Sequence, residues 1–125
     1  MTQPFDVATE ETRKSNLLLQ AALLRDMGDL EQASALFATA AEIEERLASE
    51  ADARKDGAHA LRSWYSAASA WANAGDFHHA LTLLRSLEGR SDVPAALQAR
   101  IHAFSEQVQR QREHWRETLR ELASA

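Results

Sequence analysis

The chain of 125 residues has no cysteine, only four glycines and two prolines, and no long apolar run. Without cysteine it offers no thiolate nucleophile, no cysteine-ligated zinc and no disulfide framework, and a reducing compartment is the simpler expectation. No segment approaches the about 20 consecutive apolar residues of a membrane span. Residues 1–8 lack the basic start and apolar stretch of a signal peptide. We therefore expect a soluble, cytoplasmic protein with no membrane partner.

The charge distribution and the composition further restrict the fold class and the kinds of partner. Residues 1–53 carry eleven acidic and four basic side chains, a net charge of −7, whereas residues 54–125 carry a net charge of +2. An acidic half disfavours a surface that binds nucleic acid through its phosphates, so we expect no nucleic acid partner. Valine and isoleucine together occupy only five positions, and the better helix formers dominate. The length fits one domain, which should be all-α.

The glycines divide the chain into helices. Glycine stands at 28, 57, 75 and 89, and we expect each one to end a helix in the left-handed conformation. This predicts a flexible N-terminus over 1–9 and a single domain over 10–125, with helices near 10–27, 30–54, 58–74, 77–88 and 94–122. Asp29 and Asp76 are predicted N-caps. Ser91 or Asp92 should cap the last helix, with Pro94 in its first turn.

Apolar residues recur at helical spacing within these segments. The predicted core residues include Leu17, Leu18, Leu19, Ala21, Leu24, Met27, Leu30, Ala33, Phe37, Ala40, Leu47, Ala51, Leu61, Trp64, Ala68, Trp71, Phe77, Ala80, Leu81, Leu84 and Leu87. The last helix carries an alternating four-three seam of Leu97, Ile101, Phe104, Val108, Gln111, Trp115, Thr118 and Leu122. At about 43 Å it is too long for the fourth helix to cover. Its far half should lie along the long second helix or meet a second chain, and Trp115 is either packed there or exposed at an interface.

Two stretches repeat each other 47 residues apart. Leu17, Ala21, Leu24, Gly28-Asp29, Ala33 and Phe37 align with Trp64, Ala68, Trp71, Gly75-Asp76, Ala80 and Leu84. The pattern resembles the tetratricopeptide repeat, whose units are about 34 residues long. The resemblance implies two antiparallel helical hairpins stacked as a short right-handed solenoid, closed by a long C-terminal capping helix. The departures are the longer period, the missing final proline (Glu45 and Asp92 instead) and the presence of only two units.

In that family, partners bind the concave face formed by the first helix of each unit. Carried over by spacing, this face would present Ser15, Leu18, Ala22, Arg25, Asp26, Arg62, Tyr65, Ser69, Ala72 and Asn73. The family's Asn/Lys clamp for a C-terminal carboxylate is absent, because Ala22, Ser69, Leu18 and Tyr65 occupy those positions. The candidate partner-binding residues are Arg25, Arg62, Tyr65, Ser69, Asn73 and Trp115. Arginine and tyrosine are common interface anchors, although these positions could also be ordinary solvated ones.

The sequence offers weaker candidates for a catalytic or metal-binding site than for a partner-binding one. The five histidines show no metal-ligand spacing, and we expect neither metal nor cofactor. Arg54-x4-His59 matches the short Arg-x4-His motif of HEPN-type ribonucleases, but a predicted helix break lies between the two residues. The cluster of Glu42, Glu44 and Glu45 is predicted to be a solvated face, and Trp64 and Trp71 to be core residues.

The predicted function is therefore a non-enzymatic protein–protein interaction module: an adaptor, a chaperone-like protein or a regulatory subunit. Its partner would be another protein or a peptide, bound by the helical groove, the last helix or both. One alternative is a structural protein that forms homo-oligomers, such as homodimers, through the heptad-like last helix. A ribonuclease of HEPN type is a more distant alternative.

Overall fold

A computed structural model describes residues 5–125, which form five helices. Their bounds are α1 Val7–Asp26, α2 Leu30–Ala53, α3 Gly57–Asn73, α4 Phe77–Glu88 and α5 Ala95–Ser124. No strand occurs in this part of the chain. The predicted all-α class with five helices and a long last helix is confirmed. Helix α1 begins three residues before the predicted start, and residues 1–4 of the predicted flexible N-terminus lie outside the described range. None of the helices over 5–125 combines the length and apolarity needed to cross a bilayer.

The turns after α1, α2 and α3 share one backbone geometry. Each has a single left-handed residue, with φ of 86° at Gly28, 62° at Lys55 and 86° at Gly75. An aspartate follows directly and caps the next helix, because its carboxylate accepts a hydrogen bond from the amide three residues later. These bonds are 3.2 Å at Asp29, 3.2 Å at Asp56 and 3.0 Å at Asp76. The predicted caps at 29 and 76 are confirmed, and these turns leave only three residues between successive helices.

Two of the four glycines and the last cap differ from the prediction. Gly57 is the first residue of α3, and Lys55 takes the left-handed position instead. A Cβ at Gly57 would lie 3.1 Å from Asp92 Oδ2, so its lack of a side chain allows the α4–α5 loop to approach. Gly89 ends α4 in a right-handed conformation, with φ of −81°. Pro94 occupies the N-cap position of α5 without a side-chain cap.

Each helix packs mainly against its neighbours in sequence. Helix α2 contacts both α1 and α3, α3 contacts α4, and α4 contacts α5. Fully buried alanines allow this close approach, including Ala40, Ala41, Ala48, Ala51, Ala60, Ala67 and Ala68. Leucines and aromatic residues fill the remaining space, and the main core extends from Ala41 of α2 to Val108 of α5.

Several predicted core positions are wrong. Leu19, Met27 and Leu30 are 72%, 71% and 65% exposed, because no other helix of residues 5–125 covers them. The expected packing of the far half of α5 along α2 is also wrong: beyond Val108, the seam residues Trp115 and Leu122 are exposed. The short α4 covers only the first half of α5. Over residues 5–125, no other helix packs along the second half.

Candidate interaction surfaces

Several of the predicted concave-face residues already contact other parts of the chain. Arg25 donates a 3.4 Å hydrogen bond from Nη1 to Asn73 Oδ1, and its guanidinium lies 5.4 Å from the ring centroid of Phe37. Tyr65 is half-buried under α5, with its ring 5.5 Å from that of Phe104. Arg25 and Asn73 therefore bind each other near the turns, whereas Tyr65 packs against the capping helix.

The remaining two groove candidates lie elsewhere on α3. Ser69 is half-buried, whereas Arg62 is exposed at the edge of a shallow depression. A charged cluster on α1, α2 and α3 lines the same depression. Among the groove candidates, a hydrogen bond links Arg25 of α1 to Asn73, and Arg62, Tyr65, Ser69 and Asn73 follow one another along α3 at three- and four-residue spacing.

That charged cluster contains an almost fully buried carboxylate. Glu44 on α2 is 3% exposed, and one of its oxygens lies 2.8 Å from Nζ of Lys14 on α1. Lys14 also pairs with Glu11 at 3.0 Å, and His59 of α3 lies 3.5 Å from Glu11. The predicted solvated face at residues 42–45 is wrong for Glu44, because its side chain turns inward to meet a lysine thirty residues away.

Burial and pairing shift the pKa values in this cluster. Burial of the carboxylate raises the pKa of Glu44, because desolvation outweighs the opposing effect of Lys14. Desolvation acts to lower the pKa of Lys14, but hydrogen bonds to Glu44 and Glu11 outweigh it and raise that pKa. Desolvation of Glu11 is likewise outweighed, chiefly by its hydrogen bond with Lys14, and its pKa is lowered. The cluster joins three helices electrostatically.

The two tryptophans of α3 form matched contacts with α2. Trp64 Nε1 donates to Asp52 at 2.9 Å, and Trp71 Nε1 donates to Glu45 at 2.7 Å. The tryptophans are seven residues apart on one helix, and the carboxylates are seven apart on its antiparallel neighbour. The expected core position is confirmed for Trp71, which is buried, whereas Trp64 is half-buried. Sequence reasoning missed these pairs, although the two equal spacings were visible.

Each of these two carboxylates, Glu45 and Asp52, also has a second partner. His79 stacks on Trp71 with ring centroids 4.1 Å apart, and its Nε2 lies 3.0 Å from Glu45. Arg90 donates two 3.0 Å hydrogen bonds to Asp52 and a 2.7 Å bond to Asp92.

The bonds from Arg90 lower the pKa values of both aspartates. They also raise the pKa of Arg90 itself, through Asp92 first and Asp52 second. The far half of the long α2 thus anchors α3, α4 and the α4–α5 loop through paired polar groups.

The second half of α5 presents an uncovered apolar face. Trp115, Leu119 and Leu122 are 54%, 48% and 68% exposed, and we call them the α5 stripe. At 100° per residue they lie within about 60° of Ile101 and Val108, which are fully buried. The face that packs against the core therefore continues, uncovered, for about four further turns.

A second exposed apolar surface lies at the opposite end of the chain. Leu19, Leu23 and Met27 follow each other along α1, and Leu30 begins α2 beside them. We call these four residues the α1 patch. Sequence periodicity assigned three of them to the core, and the pattern alone did not indicate which faces of α1 have a neighbouring helix.

The residues weighed for chemistry have other contacts. Arg54 is exposed at the C-cap of α2, and His59 of α3 lies 3.5 Å from Glu11 of α1. His102 pairs with Glu106 at 3.2 Å on the exposed face of α5. Over residues 5–125, no group of three or more His, Cys, Asp or Glu side chains is arranged to hold a metal ion.

Comparison with known proteins assigns the chain to no family. Protein-family models, curated proteins and solved structures all gave no match to the chain.

Proposed function

We propose that the chain is a non-enzymatic, tetratricopeptide-like interaction module that binds another protein through the second half of α5. In this proposal it acts as an adaptor, a chaperone-like protein or a regulatory subunit, and the lack of cysteine favours a reducing, cytoplasmic setting. The observation that carries the proposal is the α5 stripe: three large apolar side chains, on the same face as a buried seam, stand in solvent. Clustered large apolar side chains on a surface are typical of protein interfaces.

The contacts that the charged and polar side chains make favour an interaction role over a catalytic one. The buried Glu44 and the half-buried Asp52 are paired with Lys14 and Arg90, respectively. Among the groove candidates, Tyr65 is covered by Phe104 and Arg25 binds Asn73. We therefore rank α5 above the groove as the partner site, with Arg62 as the most accessible groove residue.

The test is capture of protein from a lysate by immobilised chain. Trp115→Glu should abolish capture, because it places a charge in the centre of the α5 stripe. Arg110→Gln is the matched control: it also changes the net charge by −1, but from an exposed position on the opposite side of α5. If Arg62→Ala removes the captured protein while Trp115→Glu retains it, the groove is the site and α5 is not.

An RNA-cleavage assay separates this proposal from the ribonuclease alternative. We expect no cleavage by wild type beyond that of His59→Ala. Cleavage that disappears in His59→Ala would overturn the non-enzymatic assignment.

A further inference from the structure

The 47-residue repeat shows what the α1 patch lacks. Leu23 and Met27 of α1 correspond to Ala70 and Ala74 of α3. Ala70 is buried, Ala74 is half-buried, and both pack against core clusters that include residues of α2. Helix α3 packs against α2, which precedes it, whereas the described residues contain no helix before α1. Leu23 and Met27 are thus exposed at positions that are buried or half-buried in the second unit.

The α5 stripe matches the α1 patch in length. The patch extends over nine residues from Leu19 to Met27, the C-cap residue of α1, which is about 12 Å, and the stripe over eight residues from Trp115 to Leu122, about 11 Å along α5. The patch is at the start of a series of neighbour-to-neighbour helix contacts, and the stripe is at its end.

The charges beside the two surfaces have opposite signs. Arg112, Arg116 and Arg120 follow one edge of the α5 stripe at four-residue spacing, and Arg116 also pairs with Glu113 of the same helix at 2.9 Å. The other edge carries the uncharged Gln111 and Thr118. Asp26, Asp29 and Glu31 adjoin Met27 and Leu30 along the chain. Arginines beside one surface and carboxylates beside the other favour contact between them.

We propose that the partner of the α5 stripe is the α1 patch of a second copy of this chain, so that copies associate head to tail. This inference rests on the proposed function, since it names the protein that the stripe binds. Because the two contacting surfaces are different, each copy keeps one of them free. Association then continues beyond a dimer unless the rotation between copies closes a ring.

A two-fold contact between two α5 stripes is less favourable. In an antiparallel pair, like edges face each other, which would bring Arg112, Arg116 and Arg120 of one copy against the same arginines of the other. In a parallel pair, the arginine edge faces Gln111 and Thr118, which provide no carboxylate. The α1 patch provides apolar side chains for the stripe, and the carboxylates beside it provide partners for the arginines.

Complementation between two variants tests the head-to-tail contact. Leu23→Arg disables the patch but leaves the stripe intact, and Trp115→Glu disables the stripe but leaves the patch intact. Both sites are exposed, so far-UV circular dichroism and the urea midpoint should match those of wild type. Sedimentation velocity is then measured up to about 500 µM, because surfaces of this size form weak contacts.

We expect the wild-type mass to rise with concentration beyond that of two chains. Each variant alone should associate at least about tenfold more weakly. An equimolar mixture should form a species of two chains and no larger one, because only one productive contact remains. Arg110→Gln should behave as wild type.

Three results would overturn the inference. One is a wild type that remains monomeric over the whole range. Another is self-association that persists in Leu23→Arg, which would indicate a two-fold α5 contact. The third is a mixture that stays monomeric while wild type associates. A monomeric wild type that still captures a protein through Trp115 would remove this inference and leave the proposed function standing.

Discussion

Replacing Lys55 by glycine should stabilise the protein, because Lys55 holds the left-handed position that glycine holds in the two equivalent turns. Its φ of 62° is the only positive φ of a non-glycine residue over the described range. The left-handed region costs an L-residue about 1–2 kcal/mol. Glycine regains that amount but loses about 0.4–1 kcal/mol through the greater freedom of the unfolded chain. The expected net gain in the free energy of unfolding is about 0.5–1 kcal/mol.

The control for the lost side chain is Lys55→Ala, which removes the ammonium group but keeps the left-handed strain. The reverse change, Gly75→Ala, should destabilise by a similar amount. A Cβ at Gly75 would have no heavy atom within 4 Å, so the backbone alone would account for the loss. Urea unfolding followed by far-UV circular dichroism gives all three values. The reasoning is refuted if Lys55→Gly is no more stable than Lys55→Ala, or if Gly75→Ala is neutral.

Three further outcomes follow from the buried and paired groups. The raised pKa of Glu44 means that the folded state holds its proton more tightly than the unfolded state. Its contribution to stability therefore decreases as the pH rises from 4.5 through the folded value, and Glu44→Gln should lack this decrease in unfolding curves measured across that range. The lowered pKa of Asp52 has the opposite sign: its stabilisation is present above pH 3.8 and is lost as the pH falls further, so Asp52→Asn should show a shallower acid-side loss in the same measurement. Trp71→Phe should cost about 1 kcal/mol by removing the 2.7 Å bond to Glu45. A double-mutant cycle with Glu45→Ala should show positive coupling, and strict additivity would exclude the bond as its source.

The helices were predictable because the chain marks their ends with local signals. Gly28-Asp29 and Gly75-Asp76 each combine a left-handed residue with a cap, and both signals act within four residues. Lys55-Asp56 forms the same turn, but lysine carries no preference for the left-handed region. The structure around it imposes that conformation, so the adjacent Gly57 was the misleading signal.

Features that depend on residues far apart in the sequence were harder to predict. The burial of Glu44 depends on Lys14, which lies on another helix, and no local pattern links the two. The exposure of Leu19 and Leu23 depends on which faces of α1 have a neighbouring helix among the described residues, whereas periodicity reports only that a face is apolar. The hydrogen bonds of Trp64 and Trp71 were within reach, because matched seven-residue spacings on antiparallel helices bring side chains together in pairs.

The neighbour-to-neighbour packing also sets how the chain folds and opens. Because each helix contacts mainly the next one, most contacts join segments that are close in sequence, which favours folding in the microsecond to millisecond range. Helix α2 has packed neighbours on two sides, whereas the end of α5 has none in the chain. Amide hydrogen exchange should therefore be slowest in α2 and α3 and fastest beyond Val108, with opening that proceeds inward from the C-terminal end.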